Sequence, residues 1–230
     1  MYVLPDFSRE LNTDSATKAS FYVDIHARLK LCEGQQALSR IGLWQDGKTS
    51  WVGDGDWSVQ AAFSKTALSI MSQAFHKVWN ILVTIIDRES PDRLGCLREV
   101  RIENQGSDTK QVKLLFHHLP LMQSQGIAFY SPQDKALIHH AENQFSLFSL
   151  TMRDAAFIQP GAGSLKKNWN SQEGKLFFSP FSATSLESVL AASCVLSSQA
   201  SAKGHAWMLS SQSLEALKQS HKRLQAAYGQ

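Results

Sequence analysis

Along most of this chain the apolar residues recur at every second position. From Phe21 to Leu31 the residues Phe21, Val23, Ile25, Ala27, Leu29 and Leu31 are apolar while Asp24, His26, Arg28 and Lys30 intervene, which predicts one half-buried strand. Residues 79–86 are apolar on both parities and predict a central strand covered on both faces. Cys96, Val100 and Ile102 alternate with Glu99, Arg101 and Glu103. Turn residues 104–108 follow, then Val112, Leu114 and Phe116, so two strands and a turn read as a hairpin. Shorter β-like runs at 127–130, 136–140 and 145–150, and a closing pair at 189–196 and 205–209, complete the pattern.

Two stretches depart from it. Residues 161–174 are Gly-rich and polar and read as a loop, flexible over 161–167. At the C-terminus the period lengthens: Leu214, Leu217, His221, Leu224 and Tyr228 fall at helical spacing, with Ser210, Ser211 and Ser213 as caps and Glu215 in the first turn. The prediction is an all-β fold, a large antiparallel β-sandwich over 21–209, preceded by an irregular polar leader over 1–20 and followed by a C-terminal helix over 210–230.

Composition narrows the function. With 43% hydrophobic and 19% charged residues the chain has the makeup of a folded soluble domain rather than a disordered one. Its net charge of +3 is spread without a basic block, which argues against a nucleic-acid partner. Its apolar runs are too short for a membrane span, and residues 1–9 do not form a secretory signal, so the expectation is a cytoplasmic protein without a membrane partner. Cys32, Cys96 and Cys194 are far apart and odd in number, which suits reduced structural thiols.

An ordered series of motifs adds a family resemblance. Residues 40–51, from Arg40-Ile41-Gly42-Leu43-Trp44 through the Asp46-Gly47 turn to Trp51, are followed by 54–57, by Arg98-Glu99-Val100-Arg101-Ile102-Glu103-Asn104, by 114–118, by Ala128-Phe129-Tyr130-Ser131-Pro132 and by 136–140. In this order they resemble the N-terminal β-sandwich domain of bacterial glycoside hydrolase family 15 proteins, the glucoamylase and glucodextranase type. Trp169, 173–176, 185–196 and Ala206-Trp207-Met208 are similar to that family's closing strands, and the helix from Leu214 to its linker helix. The resemblance implies a supersandwich packed on an (α/α)6 catalytic barrel, a glycosidase catalytic domain as partner in the same or a separate chain, and two catalytic glutamates on the barrel. Their positions have no counterpart here, so no catalytic residue is assigned and the chain as it stands is read as nonenzymatic.

The residues carry little other chemistry. Asp54 and Asp56 are close enough for a carboxylate pair, but Gly53 and Gly55 beside them favour a turn. His117-His118 and His139-His140 each point one ring to either face of a strand and complete no metal-ligand pattern, so no metal is assigned. Gly161 to Lys167 lacks the full phosphate-loop spacing and no GxSxG elbow occurs, so no cofactor is assigned. The tentative carbohydrate site is Trp169 with its neighbours Asn168 and Asn170, an indole in a polar loop suited either to stacking on an α-glucan oligosaccharide or to docking on another domain. Trp44, Trp79 and Trp207 lie in apolar patterns and are read as core.

Overall fold

The computed structural model describes residues 21–31, 37–64, 66, 68–121, 125–153, 155 and 157–229. The leader 1–20 and Cys32 lie outside the described residues. In chain order the first strands are β1 (Phe21–Val23), β2 (Leu29–Leu31), β3 (Ala37–Gln45), β4 (Lys48–Trp51), β5 (Trp57–Ser64), β6 (Ser69–His76), β7 (Ile81–Glu89) and β8 (Gly95–Asn104). Then come β9 (Lys110–Pro120), β10 (Gly126–Ser131), β11 (Ala136–Ala141), β12 (Gln144–Met152) and β13 (Ile158–Ala162). A helical turn, α1 (Leu165–Asn168), precedes β14 (Trp169–Asn170), β15 (Lys175–Leu176) and β16 (Phe181–Ser182). Two long strands, β17 (Ser188–Leu196) and β18 (Ser201–Ser211), lead to the helix α2 (Leu214–Tyr228).

These strands form the antiparallel sandwich that the alternation implies. One sheet has the order β1-β2-β3-β9-β17-β13, with β4 hanging from β3. The other has the order β16-β10-β11-β12-β18-β8-β7-β6-β5. Ile41, Leu43, Leu114, Phe116 and Leu190 of the first sheet meet Ile81, Val83, Ile85, Val100 and Phe148 of the second in one buried core. Each such side chain stabilises the fold by roughly 1.5–3 kcal/mol on burial. Asp46 and Gly47 both have positive φ, 46° and 80°, as the two-residue turn between β3 and β4 requires.

Several expectations change. The alternation from Phe21 to Leu31 is a hairpin rather than one strand: the Asp24 carboxylate accepts the N–H groups of His26 and Arg28, Ala27 takes φ 55°, and β1 folds back on β2. Phe21, Val23, Ala27, Leu29 and Leu31 still bury, and Ile25 is left at the exposed tip. The strand at 79–86 begins at Ile81 and is interior to its sheet but covered on one face only. Ile81, Val83 and Ile85 face the core, Leu82 and Ile86 are half-exposed, and Trp79 sits in the preceding turn, stacked on His76 at 4.0 Å.

The two predicted hairpins near 104–108 and 197–204 are arches. β8 pairs with β18 in one sheet and β9 with β17 in the other, so both turns cross between sheets side by side. Buried Asn104 joins them: its amide donates to the carbonyls of Asp108, Leu196 and Ser197, and its oxygen accepts the Gly106 N–H. A buried ion pair also spans elements: Arg98 holds Asp87 through two hydrogen bonds of 2.6 and 2.9 Å and donates to the Ala27 carbonyl, tying β7 and β8 to the β1–β2 turn. Cys96 and Cys194 are buried, and burial pushes the Cys96 thiol well up. Among the described residues no helix is long and apolar enough to cross a membrane.

Candidate interaction surface

Residues 161–174, expected as a loop, carry regular local structure. Gly161 and Ala162 end β13, Leu165–Asn168 is a helical turn, and β14 pairs with β15. This segment covers the outer face of the seven-stranded sheet, where Trp169, Trp51 and Leu165 pack on Leu115, Leu176, Val189 and Ala191. Hydrogen bonds fasten it. The Trp169 indole N–H donates to Thr49 Oγ1 at 2.9 Å, Thr49 shares a 2.8 Å bond with the Ser171 hydroxyl, and the Trp44 indole N–H donates to the Ser171 carbonyl. Lys113 donates to the Gly174 carbonyl and lies over the Trp44 ring. Gly174 has φ 59°, and a Cβ there would lie 2.4 Å from the Trp44 indole, so this turn needs glycine.

The three consecutive residues singled out for sugar binding go to three places. Trp169 turns inward to Thr49 and is half-buried. Asn168 is buried and donates to the Ala162 carbonyl at 2.9 Å. Asn170 accepts the N–H groups of Gln172 and Glu173 and shapes the β14–β15 turn. Of the three, Asn168 lines a surface recess of about 450 Å³ with Gly163, Ser164, Lys167, Phe181 and Thr184.

Beside this segment Arg40, His117 and Glu187 form a relay. Arg40 Nε donates to His117 Nδ1 at 3.0 Å, and His117 Nε2 lies 2.7 Å from Glu187 Oε1. Because a guanidinium only donates, Nδ1 must carry the lone pair and Nε2 the proton, so His117 is neutral and donates to Glu187. Burial pushes the His117 pKa down; the Glu187 hydrogen bond opposes the shift and the Arg40 charge adds to it. Burial pushes Glu187 up, but the hydrogen bonds from His117 and the Leu165 N–H outweigh it and hold the carboxyl below its usual range. Arg40 also stacks on Trp51, 4.0 Å from the ring centroid. Glu187 also accepts the Leu165 N–H at 2.8 Å, so the relay latches α1 to the sheet.

The other candidates resolve in the same direction. The Asp54 carboxylate accepts the Trp51 N–H in the turn before β5. His118 and His139 point between the sheets and flank Phe148, at 4.1 and 4.5 Å, while His140 stacks on Phe145. His139 reaches the Ser188 hydroxyl at 2.8 Å. Among the described residues no three His, Cys, Asp or Glu side chains gather as a metal group. Trp207 is core, as expected; Trp44 is half-buried on the outer face.

What the sequence reading passed over is the run after β15. Phe177, Phe178 and Phe181 are 45%, 70% and 56% exposed. Their backbone is fixed nonetheless: Phe177 N–H donates to the Asn168 carbonyl, Ser179 exchanges bonds with Ala162, and the Pro180 carbonyl accepts the Tyr130 N–H. Large apolar rings held in water on a bonded backbone make this run a candidate interaction surface. The signal was the sequence Phe177-Phe178-Ser179-Pro180-Phe181 itself, which has no alternation to bury its rings.

No protein-family model matches the sequence, and no curated protein matches it. Solved structures do match. A bacterial glucoamylase complexed with acarbose aligns with a TM-score of 0.69 and 11% identity over 90% of this chain and 32% of its own. A putative kojibiose phosphorylase from the human microbiome aligns with a TM-score of 0.53 and 9% identity over 94% of this chain and 28% of its own. The chain thus spans about a third of the length of these proteins, and at such identities the likeness speaks for fold. The architecture shared with part of each of these proteins is the antiparallel β-sandwich.

Proposed function

We propose that this chain is a noncatalytic N-terminal accessory domain of a glucoamylase-like α-glycoside hydrolase of family 15 type, packing on and supporting an (α/α)6 catalytic barrel. The observation that carries this reading is the fold match over 90% of this chain to 32% of a bacterial glucoamylase. The fixed and exposed phenylalanines at 177, 178 and 181 support it as a docking surface. Glycoside cleavage needs two carboxyl groups placed across the sugar, and the turn at Asp54 uses that carboxylate for backbone bonding instead. A reduced, buried Cys96 suits a cytoplasmic setting.

The test is to produce the chain together with the (α/α)6 barrel encoded in the same reading frame or beside it. The two are expected to co-purify in equal amounts, and Phe178→Ser with Phe181→Ser to separate them, while the 230-residue chain alone leaves maltooligosaccharides intact. Hydrolysis by the chain alone, or a barrel that never associates, contradicts the reading.

One observation favours a second reading, a freestanding carbohydrate-binding domain: the recess beside Asn168 is lined by Ser164, Thr184, Lys167 and Phe181, polar and aromatic residue types that suit an α-glucan. Calorimetric titration with maltooligosaccharides decides it. Saturable heat lost in Phe181→Ala supports the recess, loss in Trp169→Ala points to the loop indole, and no heat removes the reading.

A further inference from the structure

The edges of the two sheets are not alike. In the seven-stranded sheet the terminal strands are β1, of three residues, β4, of four residues starting at Lys48, and β13, which carries Pro160. In the nine-stranded sheet one terminal strand is β16, of two residues, entered from Pro180. Short strands and prolines are the usual protection of an edge. The remaining edge, β5, has eight residues with the sequence Trp-Ser-Val-Gln-Ala-Ala-Phe-Ser, without a charge or a proline. Among the described residues it pairs with β6 alone.

The ladder fixes which backbone groups of β5 are outward. Lys77 N–H donates to the Asp56 carbonyl, and these two residues are directly opposite in the β5–β6 register, so they form a hydrogen-bonded pair. Bonded and nonbonded pairs alternate along an antiparallel ladder. Ser58, Gln60 and Ala62 therefore aim their backbone groups at β6, and Val59, Ala61 and Phe63 aim theirs away from it. Trp57 N–H, of the same parity, points away as well and is taken by the Asp54 carbonyl.

We infer that β5 is a homodimerisation edge, on which a second copy of this chain adds its own β5 antiparallel across a two-fold axis at Gln60. In that register Val59 faces Ala61 of the other copy and Trp57 faces Phe63, so the outward N–H groups of Val59, Ala61 and Phe63 meet outward carbonyls of the same parity. Each opposite pair is neutral and sterically compatible: Gln60 with Gln60, Ser58 with Ala62, Val59 with the small Ala61. The two nine-stranded sheets become one continuous sheet. The inference goes beyond the accessory-domain reading and does not rest on it.

Sedimentation of the 230-residue chain over a concentration series up to about 100 µM tests it. The wild type is expected to shift from 25.6 kDa towards twice that mass. Gln60 is on the outer face of an edge strand, so its substitution leaves folding intact, which circular dichroism checks. Gln60→Lys and Gln60→Glu, each alone, place like charges opposite one another and are expected to weaken dimerisation at least about tenfold. Mixing the two is expected to restore a dimer containing one copy of each. A wild type that stays monomeric throughout, a dimer indifferent to both substitutions, or a mixture that fails to recover each overturns the inference.

Discussion

The two outer faces of the sandwich are covered by different means. Over the nine-stranded sheet lies α2, whose Leu217 and Leu224 pack on Leu97, Ile138, Leu147 and Trp207. Over the seven-stranded sheet lies the irregular segment from Gly163 to Leu176, held by tryptophan, lysine and backbone bonds. Both covers close on a buried neutral histidine. On the helix side His221 accepts the Trp207 indole N–H on Nδ1 and donates from Nε2 to the Asp134 carbonyl. On the loop side His117 accepts from Arg40 and donates to Glu187. The helix satisfies its own backbone and needs only an apolar stripe to dock, whereas the loop has to find a side-chain partner for nearly every turn it makes.

The sharpest way to separate the two is to remove one anchor from each. Leu217 is fully buried, so Leu217→Ala is expected to cost roughly 2–5 kcal/mol in urea unfolding through lost burial and a cavity under α2. Trp169→Ala is expected to cost less, about 2–3 kcal/mol, because the indole is half-buried, and Trp169→Phe about 1 kcal/mol for the bond to Thr49. A neutral Trp169→Ala would mean that the loop is not held by its tryptophan.

Acidification is expected to loosen the space between the covers rather than the covers alone. Burial pushes His139 down to about 3, and His118 well down, so the folded chain leaves unbound a proton that the unfolded chain binds below about pH 6.5. The His139 contribution is then flat above that pH and falls by about 1.4 kcal/mol per pH unit as pH drops from about 6.5 towards 3, and His118 acts in the same direction. In His139→Phe the slope of urea stability between pH 6.5 and 5 should decrease by one such contribution. A modest effect is expected at the loop turn: Gly174→Ala, strained at φ 59° and pressed on Trp44, should cost about 1–2 kcal/mol while leaving α2 untouched.

The helix cover was legible in the sequence and the loop cover was not, for one physical reason. Leu214, Leu217, His221 and Leu224 repeat at the helical period, and Ser213 does cap α2 by accepting the Ala216 N–H. Trp169, Ser171 and Gly174 follow no period, and the partners that explain them, Thr49, Trp44 and Lys113, are distant in sequence. The arches failed for a related cause. A short turn between two alternating strands looks the same whether the strands pair or cross between sheets, and only the carbonyls gathered by Asn104 distinguish the cases. Strand parity, by contrast, placed His117 and His118 on opposite faces correctly. The exposed phenylalanines were visible as residues but not as a surface, since exposure depends on which neighbours the fold brings near.

The central claim is that this sandwich supports a catalytic barrel, and the most direct measurement is the thermal unfolding of that barrel with and without the chain. The account predicts a Tm for the barrel that rises in the presence of the 230-residue chain and returns towards its unsupported value when Phe178 and Phe181 are both replaced by serine. A barrel whose Tm is the same with the chain, without it, and with the variant would contradict the account.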